Sequence, residues 1–222
     1  MRDTSQAYYE SLWQTMAVLP DWDDRVAAAF ARVIAGRPRY EAVAKRADVP
    51  WYFIGIIHEM EGGCDFRKQI IDGKPWIGEW ESWGEATLHA MWGYCGIEDW
   101  SPPSILRRLE LYNGDPPGYV NRDKNSPYLC SGSPHGLGVG KFVADGIYDP
   151  RAVSDQVGAA LILRALTLAG ATRGVTPVAE PLGDQKERWL KRIEYLAERS
   201  DAMSVALREM AEEVRHGRFI SA

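Results

Sequence analysis

Residues 49–80 read VPWYFIGIIHEMEGGCDFRKQIIDGKPWIGEW. An apolar segment runs into His58, Glu59 and Glu61, two glycines stop it, and a turn-rich stretch carries Asp72. A helix turns about 100° per residue, so positions i, i+3 and i+4 share a face. Pro50 suits the first turn, where its missing N–H costs nothing. From Trp51 onward, Phe53, Ile56, Ile57 and Met60 form one apolar stripe with Ile54 on its flank. Glu61 comes four residues after Ile57 and falls on the edge of that stripe. Glu59 lies roughly 160° away from it, next to Gly55 and nearer the polar side. The two glutamates therefore cannot both face one cleft. Gly62 and Gly63 supply the positive φ that ends a helix.

A carboxyl at an apolar helix end is desolvated, so its neutral form is favoured and its pKa rises. Such a group suits general acid work on a glycosidic oxygen. Glu61 is thus the first candidate acid. Glu59 is the second, and fits better as a solvated or salt-bridged helix residue. The plainer reading of Glu61 is the last polar residue of a core helix.

In residues 67–80, IIDGKPWIG carries Asp-Gly and Lys-Pro turn signals between short strands, which predicts a small β-hairpin beside the acid-bearing helix. Asp72 there either positions water and stabilises positive charge developing at an anomeric carbon, or is simply a turn residue. Trp76 and Trp80 either stack on sugars or cover the hairpin. His58-Glu59 begins like the HExxH zinc motif, but position 62 is glycine and the second ligand is missing. His89, His135 and His216 are far apart in sequence, so no metal and no cofactor is expected. No Gly-x-Ser-x-Gly motif marks a serine hydrolase, and Gly140-Lys141 runs into Phe142, not into the Ser or Thr of a phosphate loop.

The segment IIHEMEGGCDF resembles the surroundings of the catalytic glutamate in lysozyme-like muramidases and lytic transglycosylases. Glu61-Gly62, Asp72-Gly73 and Trp76-Ile77-Gly78 follow the phage-type lysozyme order, although the interval from Glu61 to Asp72 is longer than in that family. Tyr112-Asn113-Gly114, Ser126-Pro127-Tyr128-Leu129 and the stretch Gly140-Lys141-Phe142-Val143-Ala144-Asp145-Gly146 resemble segments of a family of phage and bacterial peptidoglycan hydrolases. The likeness spans roughly residues 8–168 and departs at Cys130, where an aromatic residue is expected. It implies a mainly α, lysozyme-like α+β domain. It also implies that Tyr112, Asn113 and Tyr128 line the cleft. With Trp76, and with His58 three residues before Glu61, these are the candidate substrate-binding residues.

The chain of 222 residues fits one large domain or one domain with an appendage. The expected division is a catalytic domain at 1–170, a linker at 171–183 and a C-terminal helical extension at 184–222. That extension docks on the domain, dimerises or binds another protein. A formal net charge of −5 argues against a general nucleic-acid binder and gives no electrostatic help toward an anionic wall. Three widely spaced cysteines without a CxxC pair fit reduced thiols. No secretory signal opens the chain, so it is expected to be made in the cytoplasm and to reach the wall or periplasm after release or by non-classical export. The apolar run 157–170 contains Arg164 and is too short for a membrane span.

Elsewhere, helices are expected at 6–19, 24–35, 40–47, 81–92, 104–111 and 154–168, with Gly36 and Pro38 breaking the second from the third. Residues 113–150 are rich in turn residues, and a loop of that length is expected to be functional and to form the other wall of the cleft.

The function these expectations converge on is cleavage of peptidoglycan between N-acetylmuramic acid and N-acetylglucosamine, with Glu61 protonating the leaving oxygen. Partnership with Asp72 favours hydrolysis. Without a second carboxylate, attack by the muramic 6-hydroxyl gives an anhydro product. The alternatives are a chitinase-like glycosidase, or a non-catalytic wall-binding or phage structural protein on the same fold.

Overall fold

The computed structural model describes residues 1–114 and 116–172, together with positions 187 and 191. Among the described residues the chain is mainly helical, with one small antiparallel hairpin. The helices are α1 (Gln6–Thr15), α2 (Asp23–Ala47), α3 (Trp51–Gly62), α4 (Trp83–Met91), α5 (Pro102–Tyr112), α6 (Pro116–Val120), α7 (Pro127–Cys130) and α8 (Ala159–Leu168). The hairpin pairs β1 (Lys141–Ala144) with β2 (Ile147–Asp149).

Helix α3 starts after Pro50 and ends at Gly63, whose φ of 62° is the left-handed conformation expected of that glycine. It is the central helix of the core. Phe53, Ile54, Ile56 and Ile57 have no exposed surface, and burying each contributes about 1.5–3 kcal/mol. Helices α2 and α8 pack along it, and α8 also covers α2 and α7. The side bearing Gly55 and Glu59 is not a solvated face. A β-carbon at Gly55 would lie 2.8 Å from Val33 Cγ1, so that side is pressed against α2.

Helix α2 is continuous through Gly36 and Pro38, where the sequence predicts a break. Pro38 forfeits the hydrogen bond to the Ile34 carbonyl, a cost of about 3 kcal/mol in a helix interior. Packing offsets it. A β-carbon at Gly36 would sit 2.5 Å from the Tyr40 ring, so the glycine admits a ring that has no exposed surface and reaches into α3. Propensity is overridden by a tertiary contact that only glycine permits.

The hairpin also lies elsewhere than expected. Residues 67–80 hold only two isolated bridges, Lys68 to Pro75 antiparallel and Ile77 to Trp80 parallel, and no regular ladder. Proline has no N–H with which to extend the pairing. The ladder forms instead at 141–149, where Asp145-Gly146 turns the chain and Phe142 faces Tyr148 across the strands. Gly146 takes a φ of 70°, as a tight turn requires. The turn-rich region 113–150 therefore carries α6, α7 and the hairpin, and is not an irregular loop.

The N-terminal arm is tied down by charge. Arg2 donates to both carboxylate oxygens of Glu110, at 2.9 and 2.6 Å, and Tyr9 donates to Glu110 Oε2 at 2.6 Å. This joins the chain start and α1 to α5. The three cysteines are free. Among the described residues no helix is long and apolar enough to cross a membrane. The expected linker at 171–183 and C-terminal helices at 184–222 lie outside the described residues, apart from Ala171, Thr172 and the helical positions 187 and 191.

Candidate functional site

The end of α3 delivers Glu59 and Glu61 in opposite directions. Glu59 turns toward α2, where Arg32 grips it through two hydrogen bonds, Nε to Oε2 at 2.9 Å and a guanidinium NH2 to Oε1. Both Glu59 oxygens are taken, and its side chain is 9% exposed. That leaves a structural ion pair and no carboxyl free to meet a substrate. Glu61 is half-buried on the other side and accepts a hydrogen bond of 3.0 Å from the Tyr128 hydroxyl.

Burial pushes the Glu61 carboxyl above the usual carboxylate range, the Tyr128 hydrogen bond opposes that rise, and the negative charge of Asp72 adds to it. Tyr128 itself is held well above the ordinary phenol value by burial and by Glu61. It stays protonated and acts as a donor. Because Tyr128 occupies Oε1, the second oxygen of Glu61 remains to carry a proton.

The turn at 69–74 brings Asp72 to the same place. The Gln69 amide donates to the Lys74 carbonyl at 2.7 Å, and Gly73 N–H donates to the Gln69 carbonyl at 3.1 Å. Gly73 then packs directly on the end of α3. A β-carbon there would lie 2.4 Å from the Glu61 carbonyl oxygen, and its φ is +69°. Only glycine allows this approach. Asp72 is exposed and ion-paired with Lys74, and that side chain, with the Lys74 amide, holds its carboxyl below the usual range. Burial raises one carboxyl and a lysine lowers its neighbour.

The remaining candidates divide into lining and bracing residues. Tyr112, half-buried at the end of α5, donates to the Ile70 carbonyl at 2.8 Å and so fixes the Asp72 turn against α5. Trp76 is braced the same way, its indole N–H donating to the Phe66 carbonyl at 2.8 Å. Asn113 is exposed. It lines, with Tyr128, a cavity of about 820 Å³ that continues across Gln156 and the hairpin. Glu61 is not in that lining; Tyr128, which is, connects the two. Gln156 also lines it and donates to the Met60 carbonyl, capping the last turn of α3 beside Glu61.

His58 does not have the exposure a substrate contact needs. It has no exposed surface and sits among Tyr40, Phe66 and Trp83. Its Nε2 faces the Asp65 carbonyl at 3.2 Å and Nδ1 faces the Tyr40 hydroxyl at 2.9 Å. A carbonyl only accepts, so Nε2 carries the hydrogen and Nδ1 accepts from Tyr40. Burial pushes its pKa down to about 4, so the ring is neutral at neutral pH. His58 fastens the chain just beyond α3 to the helix. The apolar stripe of α3 wraps far enough round to enclose it.

Sequence reasoning overlooked Gln156 and Arg122. Gln156 follows no motif. Arg122 lines the same cavity from the chain just after α6, where the surrounding turn residues gave no periodicity to place it. Among the described residues no group of three His, Cys, Asp or Glu side chains is positioned to hold a metal ion. Comparison of the chain with family models, curated proteins and solved structures finds no match.

Proposed function

We propose that this protein is a glycosidase of lysozyme-like fold that cleaves the glycan strand of peptidoglycan, with Glu61 as its general acid. The observation that carries this reading is the divergence of two neighbouring carboxyls, Glu61 raised by burial and Asp72 lowered by Lys74. Environments that push two titratable groups apart suit one to hold a proton and the other to stay ionised. Glycoside cleavage needs that pair: an acid for the leaving oxygen, and an anion or a base beside the anomeric carbon.

In this mechanism the proton on Glu61 passes to the glycosidic oxygen as the C1–O bond breaks. The Tyr128 hydrogen bond orients the carboxyl and stabilises the carboxylate it becomes. Asp72 offsets positive charge at C1 and directs water to it, giving a reducing end. The general acid contributes roughly 10²–10⁴-fold. The resemblance of the segments around Glu61, Tyr112-Asn113 and Ser126-Pro127-Tyr128-Leu129 to peptidoglycan hydrolases supplies the substrate class.

The test is digestion of purified peptidoglycan by wild type and Glu61→Gln, with products resolved by mass spectrometry. Muropeptides released by wild type alone are expected. Products lighter by one water would replace hydrolysis with intramolecular attack by the muramic 6-hydroxyl. Absence of products from folded wild type would overturn the reading and favour a wall-binding protein.

A further inference from the structure

The cavity beside Tyr128 carries more positive charge than an acidic chain would suggest. Arg122 and Lys141 both line it, with Asp145 as the carboxylate at the hairpin tip. Arg122 lies over two rings, its guanidinium carbon 5.0 Å from the Phe142 centroid and 4.8 Å from that of Tyr148. One of its nitrogens donates to the Gly118 carbonyl at 2.7 Å. A guanidinium has five N–H donors in a planar fork, so most of that fork remains. Among the described residues no carboxylate pairs with Arg122 or with Lys141. Asp149 stands opposite Lys141 in register but accepts from the Arg151 amide at 2.8 Å.

We propose that Arg122 and Lys141 form a carboxylate-binding subsite in the cavity next to Tyr128, which receives an acidic substituent of the glycan strand. This rests on the glycosidase reading and narrows its substrate to strands whose muramic acid carries free carboxylates, either on the lactyl group or on the attached peptide. Neutral N-acetylglucosamine polymer has nothing for this site. The guanidinium fork matches a carboxylate with two parallel hydrogen bonds, and an arginine already held over two rings loses little freedom on binding. Lys141, on the first residue of β1, adds a second charge at the same cavity.

Binding can be read without turnover. In a Glu61→Gln background, titration calorimetry would compare a carboxylate-bearing muropeptide, peptide-free N-acetylmuramic acid oligomer and N-acetylglucosamine tetramer. Arg122→Gln and Lys141→Gln are each expected to weaken the acidic ligand about tenfold or more, the cost of one charge-assisted hydrogen bond, with the neutral tetramer unchanged. Loss with the muropeptide alone assigns the peptide carboxylate, and loss with the peptide-free oligomer assigns the lactyl group. Equal weakening of acidic and neutral ligands would reduce Arg122 to a structural partner of Phe142 and Tyr148 and overturn the subsite. So would a parent protein that binds all three ligands alike. Should Arg122→Gln fail to fold, Lys141→Gln carries the same test. Wild-type digestion run in parallel separates the two readings. Selective binding without cleavage sinks the glycosidase and keeps the subsite, whereas cleavage with binding indifferent to both variants sinks the subsite alone.

Discussion

Tyr128 donates its hydroxyl to Oε1 of Glu61 at 3.0 Å, across 67 residues of sequence. The bond opposes the rise that burial imposes on the carboxyl. Tyr128→Phe removes the donor and leaves the ring. The alkaline limb of kcat/KM, where a general acid loses its proton, is therefore expected to move upward. A pH–rate profile of the variant checks it, and an unmoved limb would mean that Glu61 is not the titrating acid.

Glu61→Gln and Glu59→Gln are expected to separate function from stability. Glu61→Gln is expected to abolish turnover. It also stabilises the fold at neutral pH, because a carboxyl raised by burial binds its proton more tightly folded than unfolded. Such a group lowers stability as pH rises through its folded pKa, and the neutral amide escapes that loss. Glu59→Gln keeps activity but weakens the grip of Arg32, whose side chain is 42% exposed and can turn to water. Chemical denaturation and glycan digestion on the two variants test both halves, and the opposite ranking in activity would reverse the assignment of the two glutamates.

Gly73 is expected to tolerate no side chain. Gly73→Ala places a β-carbon against the Glu61 carbonyl, 2.4 Å away at a φ of +69°. The left-handed conformation alone costs about 1–2 kcal/mol in a residue with a β-carbon. Relief of the clash has to shift the turn that carries Asp72. Thermal unfolding is expected to show the loss in stability, and activity per folded molecule is expected to fall as well. Full activity in a destabilised variant would remove Asp72 from the mechanism.

The parts of this architecture legible in the sequence are those set by local chemistry. Pro50 and Gly63 mark the ends of α3, and the 3.6-residue repeat separates Glu59 from Glu61 on its surface. What escaped depends on the third dimension. The polar side assigned to Glu59 is contact surface because Gly55 lets α2 approach. Helix α2 passes Pro38 because Gly36 admits the Tyr40 ring. The Asp-Gly signal occurs twice, at 72–73 and 145–146, and only the second lies between two short apolar runs free of proline, Phe142-Val143-Ala144 and Ile147-Tyr148. His58 sits in an apolar segment, where a ligand and a buried spacer look alike until Tyr40, Phe66 and Trp83 close around it. The candidate site draws on α3, the turn at 69–74, α5, α7 and the hairpin, and no local pattern announces that these meet.

His58 makes the fold sensitive to acid. Its pKa is near 4 when folded, because burial disfavours the charged ring, and near 6.5 when unfolded. The unfolded chain therefore binds more protons between those values, and stability rises with pH across that window. Acidification from pH 6.5 to 4 is expected to cost about 3 kcal/mol from this residue alone. Glu61 acts with the opposite sign, since its raised pKa favours the folded state on the acid side. The two contributions are separated by substitution. In His58→Gln, denaturant midpoints are expected to vary less between pH 4 and 6.5 than in wild type, whereas Glu61→Gln is expected to steepen the acid loss. A wild-type midpoint that stays flat across this window while the His58→Gln midpoint falls would contradict the neutral, Nε2-protonated ring clamped between Tyr40 and the Asp65 carbonyl.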